Sequence, residues 1–152
     1  MNDFVMRPYR PADQRDVIHL WAECSLIVPY NNPALDIQRK LKVHPEWFLV
    51  GLVEGAVAAT CMVGYDGHRG WVNYLAVSPR HRRRGLGALL MKEAERVLGA
   101  AGCPKINLQV RTSNRDVVAF YEQIGYTRDD VLSLGKRLVE DGPCDTGDLA
   151  DE

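Results

Sequence analysis

Residues 47 to 77 contain three apolar runs separated by two turn signals, and this pattern constrains the fold more than any other feature of the chain. The turn signals are the dipeptides Glu54-Gly55 and Asp66-Gly67, which are typical of β-hairpins. The runs are rich in valine, aromatic and small apolar residues, as strands are. The sequence therefore predicts three consecutive antiparallel strands, at about 47 to 53, 56 to 65 and 70 to 77.

The clearest helix in the sequence follows the third strand. From Leu86 to Ala101, apolar residues recur on one face while charged residues lie largely off it, and Gly102 is placed to end the helix. Periodicity and Pro or Gly breaks predict three further helices, at about 13 to 25 with Asp13 as N-cap, from about 33 to Pro45, and at about 115 to 124. Further strands are expected at 3 to 10, at 105 to 110 and, singly or as a pair, within 126 to 139.

The order of these elements predicts an α+β domain with a mixed sheet. The strand at 105 to 110 is reached by a connection long enough for a parallel crossover, whereas the earlier strands are joined by short turns. A chain of 152 residues is the size of one domain. We take residues 1 to 141 as that domain, and we expect the acidic stretch 142 to 152, which has no hydrophobic periodicity, to be a disordered tail.

Charge and cysteine usage narrow the class of partner. The 19 Lys and Arg residues are balanced by 20 Asp and Glu residues, so no domain-wide field favours nucleic acid or an anionic membrane. No signal peptide or apolar run of transmembrane length is evident, and we expect a soluble, cytoplasmic protein. The four cysteines show no metal-ligand spacing, which indicates reduced thiols, two or three of them buried, and no metal.

A basic stretch with two glycines, "RHRRRGLG" from Arg80 to Gly87, lies between the third strand and the clearest helix. Glycines remove the side chains that would hold a ligand away, and a helix N-terminus carries partial positive charge. Such a turn suits a pyrophosphate. The pattern is neither a P-loop nor a dinucleotide fingerprint, so a solvated basic turn, a localisation signal and a nucleic-acid patch remain alternatives on these residues alone.

Two segments resemble those of the GCN5-related N-acetyltransferases, the GNAT superfamily. "NYLAVSPRHRRRGLGALLMKEAE" resembles the family's acetyl-CoA-binding motif, [RQ]-x-x-G-x-[GA]. "LQVRTSNRDVVAFYEQIGY", residues 108 to 126, is similar to the family's segment L-x-V-x-x-x-N-x-x-A-x-x-x-Y-x-x-x-G-[FY]. Both motifs stand in the family's order, and the resemblance covers residues 3 to 139, with greatest similarity to the YpeA-like acetyltransferases.

The resemblance implies a fold and an activity. The expected fold has a mixed, mostly antiparallel central sheet of six or seven strands flanked by about four helices, with the fourth and fifth strands splayed apart to receive the cofactor. The expected activity is acetyl-CoA-dependent N-acetyl transfer to a primary amine by direct attack in a ternary complex. The alternative is a non-catalytic acyl-CoA-binding regulatory module.

The resemblance also assigns the cofactor contacts. The main chain of the third of the antiparallel strands would pair with the pantetheine arm, the amides of the glycine turn would bind the pyrophosphate, and an asparagine would contact the cofactor arm or the local turn. These positions are Leu75, Ala76 and Val77, then Arg82, Arg83, Arg84, Gly85, Leu86 and Gly87, and finally Asn114.

The resemblance implies a catalytic acid but no catalytic base. Tyr121 matches the tyrosine that lies near the sulfur in the family, and a phenol with a reference pKa of about 10 can donate a proton to a leaving thiolate. The sequence does not identify the general base, because Gln109 occupies the position where relatives that acetylate protein N-termini often have Glu. Among Asp66, His68 and Glu122, the pKa of imidazole favours His68; alternatively water takes the proton, with Gln109 orienting it.

The acceptor is the least constrained component. The resemblance implies that Tyr30, Asn32 and Gln109 lie at the acceptor pocket. The segment "PYNNP" is equally typical of an ordinary helix-breaking loop. The amine can belong to a small molecule or to a protein N-terminus. A monomer and a homodimer are both compatible with the sequence.

Overall fold

In a computed structural model of the protein, which describes residues 3–142, the helices and strands follow the predicted order as far as the last helix. The strands are β1 (Phe4–Pro8), β2 (Phe48–Val53), β3 (Ala56–Tyr65), β4 (Gly70–Val77) and β5 (Ile106–Asn107). The helices are α1 (Gln14–Glu23), α2 (Pro33–Lys40), α3 (Leu86–Ala100) and α4 (Arg115–Gln123).

The strands form one mixed sheet in the order β1-β2-β3-β4-β5. The first three neighbouring pairs are antiparallel, and only β4 and β5 are parallel. Both predicted hairpins are present, closing at Val53 opposite Ala56 and at Tyr65 opposite Gly70. The α+β fold with a mixed sheet is therefore confirmed.

Strands β4 and β5 separate soon after they meet. Their pairing is confined to Gly70 opposite Ile106 and Trp71 opposite Asn107, although β4 continues to Val77. Beyond these two pairs the described segment after Asn107 does not pair with β4, and we call the space between them the gap. The predicted splay between the fourth and fifth strands is thus present.

Helices cover both faces of the sheet because alternate strand residues point to opposite sides. Phe48 and its partner Met62 pack with α1 and α2 in one apolar cluster that contains the fully buried Trp21. The next pair, Leu49 and Cys61, faces α3 and α4 in a second cluster. The sheet is therefore the middle of three layers.

The sheet differs from the prediction at its end, since the described residues hold five strands rather than six or seven. Residues 127 to 142 contain no strand, and β5 occupies only two of the six residues expected. Strand formation depends on a partner backbone, whatever the local propensity. The apolar side chains that suggested a strand are instead exposed, namely Val131, Leu132, Leu134 and Leu138.

Three smaller expectations also change. Helix α2 ends at Lys40, before Pro45. Asp13 occupies the N-cap position of α1, but its carboxylate binds Arg7 and the Arg10 N–H rather than the helix. Among the cysteines of residues 3–142 only Cys61 is fully buried, and the other two are intermediate.

The expected acidic tail and the fourth cysteine lie almost entirely outside the described residues, which end at Gly142. Within residues 3–142, no helix has the length and apolar character needed to cross a membrane.

Candidate active site

The loop between β4 and α3 has a backbone shaped for an anion. Ser78 opens it, accepting a hydrogen bond from the Arg80 N–H at 3.4 Å through its hydroxyl oxygen. Arg83 and Gly85 then adopt left-handed conformations, with φ of 63° and 78°. Left-handed residues near the start of a helix can make a concavity lined by N–H groups. The N-cap residue of α3 is Gly85, so no N-cap side chain accepts hydrogen bonds from the first N–H groups of the helix. The first N–H groups of α3 therefore remain suited to a bound anion.

The charges around this loop are positive. The first turn of α3 contains no acidic residue, and the side chains of Arg82, Arg83 and Arg84 are exposed. Arg83 makes no ion pair with any residue of the described part of the chain. Arg80 differs from its neighbours, because it reaches Glu23 at 3.6 Å. The donor set thus fits the doubly charged pyrophosphate that the sequence predicted.

Arg82 and Cys24 meet at the end of β4. The Val77 carbonyl oxygen accepts hydrogen bonds from Arg82 Nε and from Cys24 Sγ, each at 3.3 Å. Arg82 Nη2 also lies 3.7 Å from Cys24 Sγ. Cys24 is distant in sequence and carries no motif, so sequence reasoning missed it.

The gap beside β4 faces particular backbone groups. The Ser78 N–H binds the Ala58 carbonyl of β3 at 2.7 Å. Because backbone groups alternate in direction along a strand, those of Val77 and Leu75 point to the other edge, towards the gap. Ala76 lies opposite Thr60, so its backbone faces β3, and its side chain is buried in the apolar cluster around Trp21.

A β-bulge near the middle of β4 is held by side chains from three other elements. The register shifts between Thr60 and Met62, and Tyr74 has a left-handed φ of 53°. The Thr60 hydroxyl donates to the Tyr74 carbonyl at 2.9 Å and accepts from Trp21 Nε1 at 2.8 Å. The Tyr74 ring stacks on Trp21, and its hydroxyl donates to Asp36 at 2.6 Å. These contacts therefore hold the bulge in β4 at Tyr74, next to Leu75, whose backbone faces the gap.

Helix α4 brings the second motif to the first. Asn114 caps this helix, accepting from the Val117 N–H at 3.4 Å. A Cβ atom on Gly87 would lie 3.2 Å from Phe120, so the start of α3 and helix α4 are in close contact. Tyr121 is 8% exposed between the rings of Phe120 and Tyr126. Burial raises the pKa of the Tyr121 phenol above its ordinary value, so the group stays protonated at neutral pH.

Comparison with known proteins decides the family. A model of the acetyltransferase (GNAT) family matches residues 12–126, which include both motifs and the loop. The chain belongs to the acetyltransferase (GNAT) family. Members of this family use acetyl-CoA, and the chain is accordingly an acetyltransferase.

Individual relatives agree with this GNAT membership. The chain is 49% identical over 137 residues to "Acetyltransferase SG1711" of Sodalis glossinidius (strain morsitans), covering 90% of this chain and 96% of that protein. Ard1 from Thermoplasma volcanium has a similar structure, with a TM-score of 0.70, 24% identity and coverage of 82% of this chain and 83% of Ard1. Naa20 from Chaetomium thermophilum, solved with a bisubstrate analogue, gives a TM-score of 0.65 and 26% identity over 81% and 70% of the two chains.

The GNAT structure does not bring His68 to the glycine loop. His68 is exposed in the β3–β4 turn, and the loop follows the opposite end of the eight-residue strand β4, about 25 Å away at 3.3 Å per residue. Asp66 shares that turn, where the N–H groups of Arg69 and His68 hold the pKa of its carboxyl at about 2. Both residues therefore lie at the far end of β4 from the glycine loop, and a role as base for either one stays a prediction.

The predicted acceptor residues divide into two groups. Asn32 caps α2, its side-chain oxygen accepting from the N–H groups of Ala34 at 3.0 Å and Leu35 at 3.3 Å. Its side chain therefore has a structural task. Tyr30 is 48% exposed, and its hydroxyl lies 2.5 Å from Arg111 Nη2. Gln109, two residues before Arg111, is exposed and donates to the Ser133 hydroxyl.

Proposed function

We propose that this GNAT protein is an acetyl-CoA-dependent N-acetyltransferase that moves an acetyl group to a primary amine by direct attack in a ternary complex. One observation carries the proposal: β4 leaves β5 after two residue pairs and ends in an arginine-rich loop at the N-terminus of α3. An extended ligand lying along the free edge of β4 would have its phosphates at that loop.

The binding residues follow from this placement. The backbone N–H groups from Arg82 to Gly87, including those of Gly85 and Leu86, would bind the pyrophosphate, and the exposed side chains of Arg82, Arg83 and Arg84 would add positive charge. Leu75 through its backbone groups and Val77 through its N–H would pair with the pantetheine arm on the gap edge of β4, as an added strand does. The Val77 carbonyl oxygen already accepts from Arg82 and Cys24. Asn114, at the start of α4, would contact the same arm.

The proposed acetyl transfer uses one side chain and one backbone group of this chain. Acetyl-CoA supplies an activated acetyl thioester when it is bound. Tyr121, held protonated by its burial, would donate a proton to the leaving sulfur. A backbone N–H at Leu75 or Val77 would stabilise negative charge on the thioester oxygen.

Proton removal from the amine is proposed to use water. His68 and Asp66 lie in the distant hairpin turn, and Gln109 is an amide that can orient water but not accept the proton. A terminal α-amine, with a reference pKa near 8, would need less help than a lysine, near 10.4. Acceptors with low amine pKa are therefore favoured.

We extend the proposal to the whole of residues 1 to 141 as one acetyltransferase domain acting in the cytoplasm. The support for that compartment is that Cys24, Cys61 and Cys103 are free thiols. Free thiols are usual where glutathione keeps proteins reduced.

The test is an assay of CoA thiol release with acetyl-CoA and a panel of amines, namely amino acids, N-terminal peptides, lysine peptides and small diamines. Mass spectrometry of the products identifies the acetylated amine. We expect release above the rate of hydrolysis with at least one class. Tight acetyl-CoA binding by calorimetry without transfer to any amine would instead support a regulatory acyl-CoA-binding module. This alternative is favoured by the amide Gln109 at a position where relatives often have a carboxylate.

A further inference from the structure

A cavity of about 550 Å³ lies between the start of α2 and the last described segment of the chain. Three of its lining residues are cationic and one is acidic, and two aliphatic side chains and an aromatic ring complete the wall. The lining residues are Tyr30, Arg39, Gly135, Lys136, Arg137, Leu138, Val139 and Asp141. Its volume is suited to a small molecule or to the first residues of a peptide.

The carboxylate in this wall is occupied by the protein itself. The Asp141 side chain is 0% exposed and accepts hydrogen bonds from Arg39 at 2.7 and 3.1 Å and from the Asn32 N–H at 3.0 Å. These bonds hold the pKa of the Asp141 carboxyl at about 2, so it is ionised at neutral pH. Asp36 contacts Arg39 at 3.1 Å. Both carboxylates thus act on Arg39, whose side chain is 49% exposed.

The remaining cations are not neutralised to the same degree. Arg137 lies 3.9 Å from Asp141, stacks at 5.9 Å from the centre of the Tyr30 ring and is 34% exposed. It also donates to the Asn31 side-chain oxygen, which is uncharged. Lys136 makes no ion pair with any residue from 3 to 142. The lining therefore has three cations against one carboxylate, and Arg111 adds a further cation in contact with Tyr30.

Tyr30 connects the cavity to the segment that follows β5. The Tyr30 hydroxyl lies 2.5 Å from Arg111 Nη2, while its ring lies against Arg137. Arg111 belongs to the segment that continues from β5, the strand that forms the far side of the gap. A molecule in the cavity would therefore lie beside the place proposed for acetyl transfer.

We propose that this cavity binds the acceptor through an anionic group, a carboxylate or a phosphate, that the acceptor carries in addition to its amine. The inference rests on the proposed function and names a substrate class for it. Arg137 and Lys136 bind the anion, because a guanidinium offers paired N–H donors and an ammonium a point charge. Tyr30, Leu138 and Val139 pack against the carbon skeleton that joins the anion to the amine.

The first test uses amines in matched pairs that differ only in a carboxylate or its carboxamide, or in a phosphate or its free hydroxyl. We expect kcat/KM to be about tenfold higher for the anionic member, as for a lost charge-assisted hydrogen bond. The ratio should fall in R137Q and in K136Q. K92Q, a neutralised exposed lysine on α3, should keep the wild-type ratio. Equal kcat/KM values within all pairs would overturn the inference while leaving acetyl transfer established.

A second measurement does not depend on turnover. Inorganic phosphate is titrated into ¹⁵N-labelled protein saturated with CoA, which would fill the glycine loop. We expect the amide signals of residues 135 to 141 to shift in wild type and in K92Q, and the shifts to be lost in R137Q. Unshifted signals would contradict the anion site. Shifted signals without transfer to any amine would contradict the proposed function alone.

Discussion

Arg82 lies across the end of β4, where its Nε donates a hydrogen bond to the Val77 carbonyl oxygen at 3.3 Å. This bond joins the side of the proposed pantetheine slot to the loop proposed for the pyrophosphate. Cys24 Sγ reaches the same oxygen from the end of α1. Strand, loop and helix are thus connected at one atom, and the two proposed cofactor contacts are positioned relative to each other.

Replacing Arg82 by Gln should weaken acetyl-CoA binding about tenfold, because a charge-assisted contact and a loop anchor are both removed. Calorimetry measures the change. Arg128→Gln is the matched control, since Arg128 pairs only loosely with Glu122, at 3.6 Å, on the surface after α4. An unchanged dissociation constant in Arg82→Gln would remove this arginine from the site.

Gly85→Ala should weaken acetyl-CoA binding more than it weakens the fold. A side chain at φ of 78° is strained by about 1 kcal/mol and would add bulk to the loop proposed for the pyrophosphate. Gly55 has nearly the same φ, 81°, in the β2–β3 turn, with nothing within 4 Å of an added Cβ. Thermal unfolding should show similar losses for Gly85→Ala and Gly55→Ala, whereas calorimetry should show weaker binding only for the first. Equal affinities of both variants would argue against the loop as the phosphate site.

Tyr121→Phe should lower kcat by about 100-fold, the low end of the range for general acids, and leave acetyl-CoA binding little changed. The phenylalanine keeps the packing against Phe120 and Tyr126, so the melting temperature should also stay close to that of wild type. Steady-state kinetics with calorimetry separates the two effects. An unaltered kcat would exclude Tyr121 as the acid.

The same burial predicts a pH dependence. Since the pKa of Tyr121 is raised above its ordinary value of about 10, the phenol keeps its proton through the neutral and moderately alkaline range. Wild-type kcat should therefore rise with the fraction of neutral amine and show no loss from Tyr121 below about pH 10. A fall in kcat between pH 7 and pH 9, in a pH–rate profile on a stable protein, would contradict this assignment.

Asp13 should stabilise the fold in a pH-dependent way. Its carboxylate, 10% exposed, accepts hydrogen bonds from Arg7 at 2.7 and 2.9 Å and from the Arg10 N–H at 2.8 Å. The Arg7 guanidinium, together with that N–H, holds the pKa of Asp13 below its ordinary value. Because the pKa is lower in the folded state, the stabilisation is complete above about pH 5 and is lost as the pH falls through the folded value.

Asp13→Asn should accordingly reduce the free energy of unfolding by about 2 kcal/mol at pH 7, with the difference from wild type shrinking below about pH 4. Urea unfolding at several pH values measures it. Glu54→Gln, an exposed carboxyl in the β2–β3 turn, should show little change at either pH. A difference that stays constant down to pH 2 would mean that Asn at position 13 acts through packing rather than charge.

The sequence predicts local features of this fold well. Strands β3 and β4 have the expected bounds because Glu54-Gly55 and Asp66-Gly67 mark their turns within a few residues. The start of α3 was likewise predicted from apolar periodicity beside a glycine. The end of the sheet depends on pairing between distant backbones, and there the apolar residues from Val131 to Leu138 suggested a strand that the described residues do not form.

The candidate site also has features that the sequence predicts and features that depend on contacts between distant residues. The motifs place the glycine loop, Asn114 and Tyr121 on elements that the structure brings together. The support of the β4 bulge joins Thr60 to Trp21, 39 residues away, and no sequence spacing signals it. The reference pKa that favours His68 as a base carries no information on where the residue lies in the fold.

The central claim, direct acetyl transfer within a ternary complex, is tested most directly by initial rates of CoA release with acetyl-CoA and the amine both varied. If both substrates must be bound before the acetyl group moves, double-reciprocal plots intersect, and release depends on the amine. Parallel lines together with an acetylated protein in the mass spectrum would contradict direct attack.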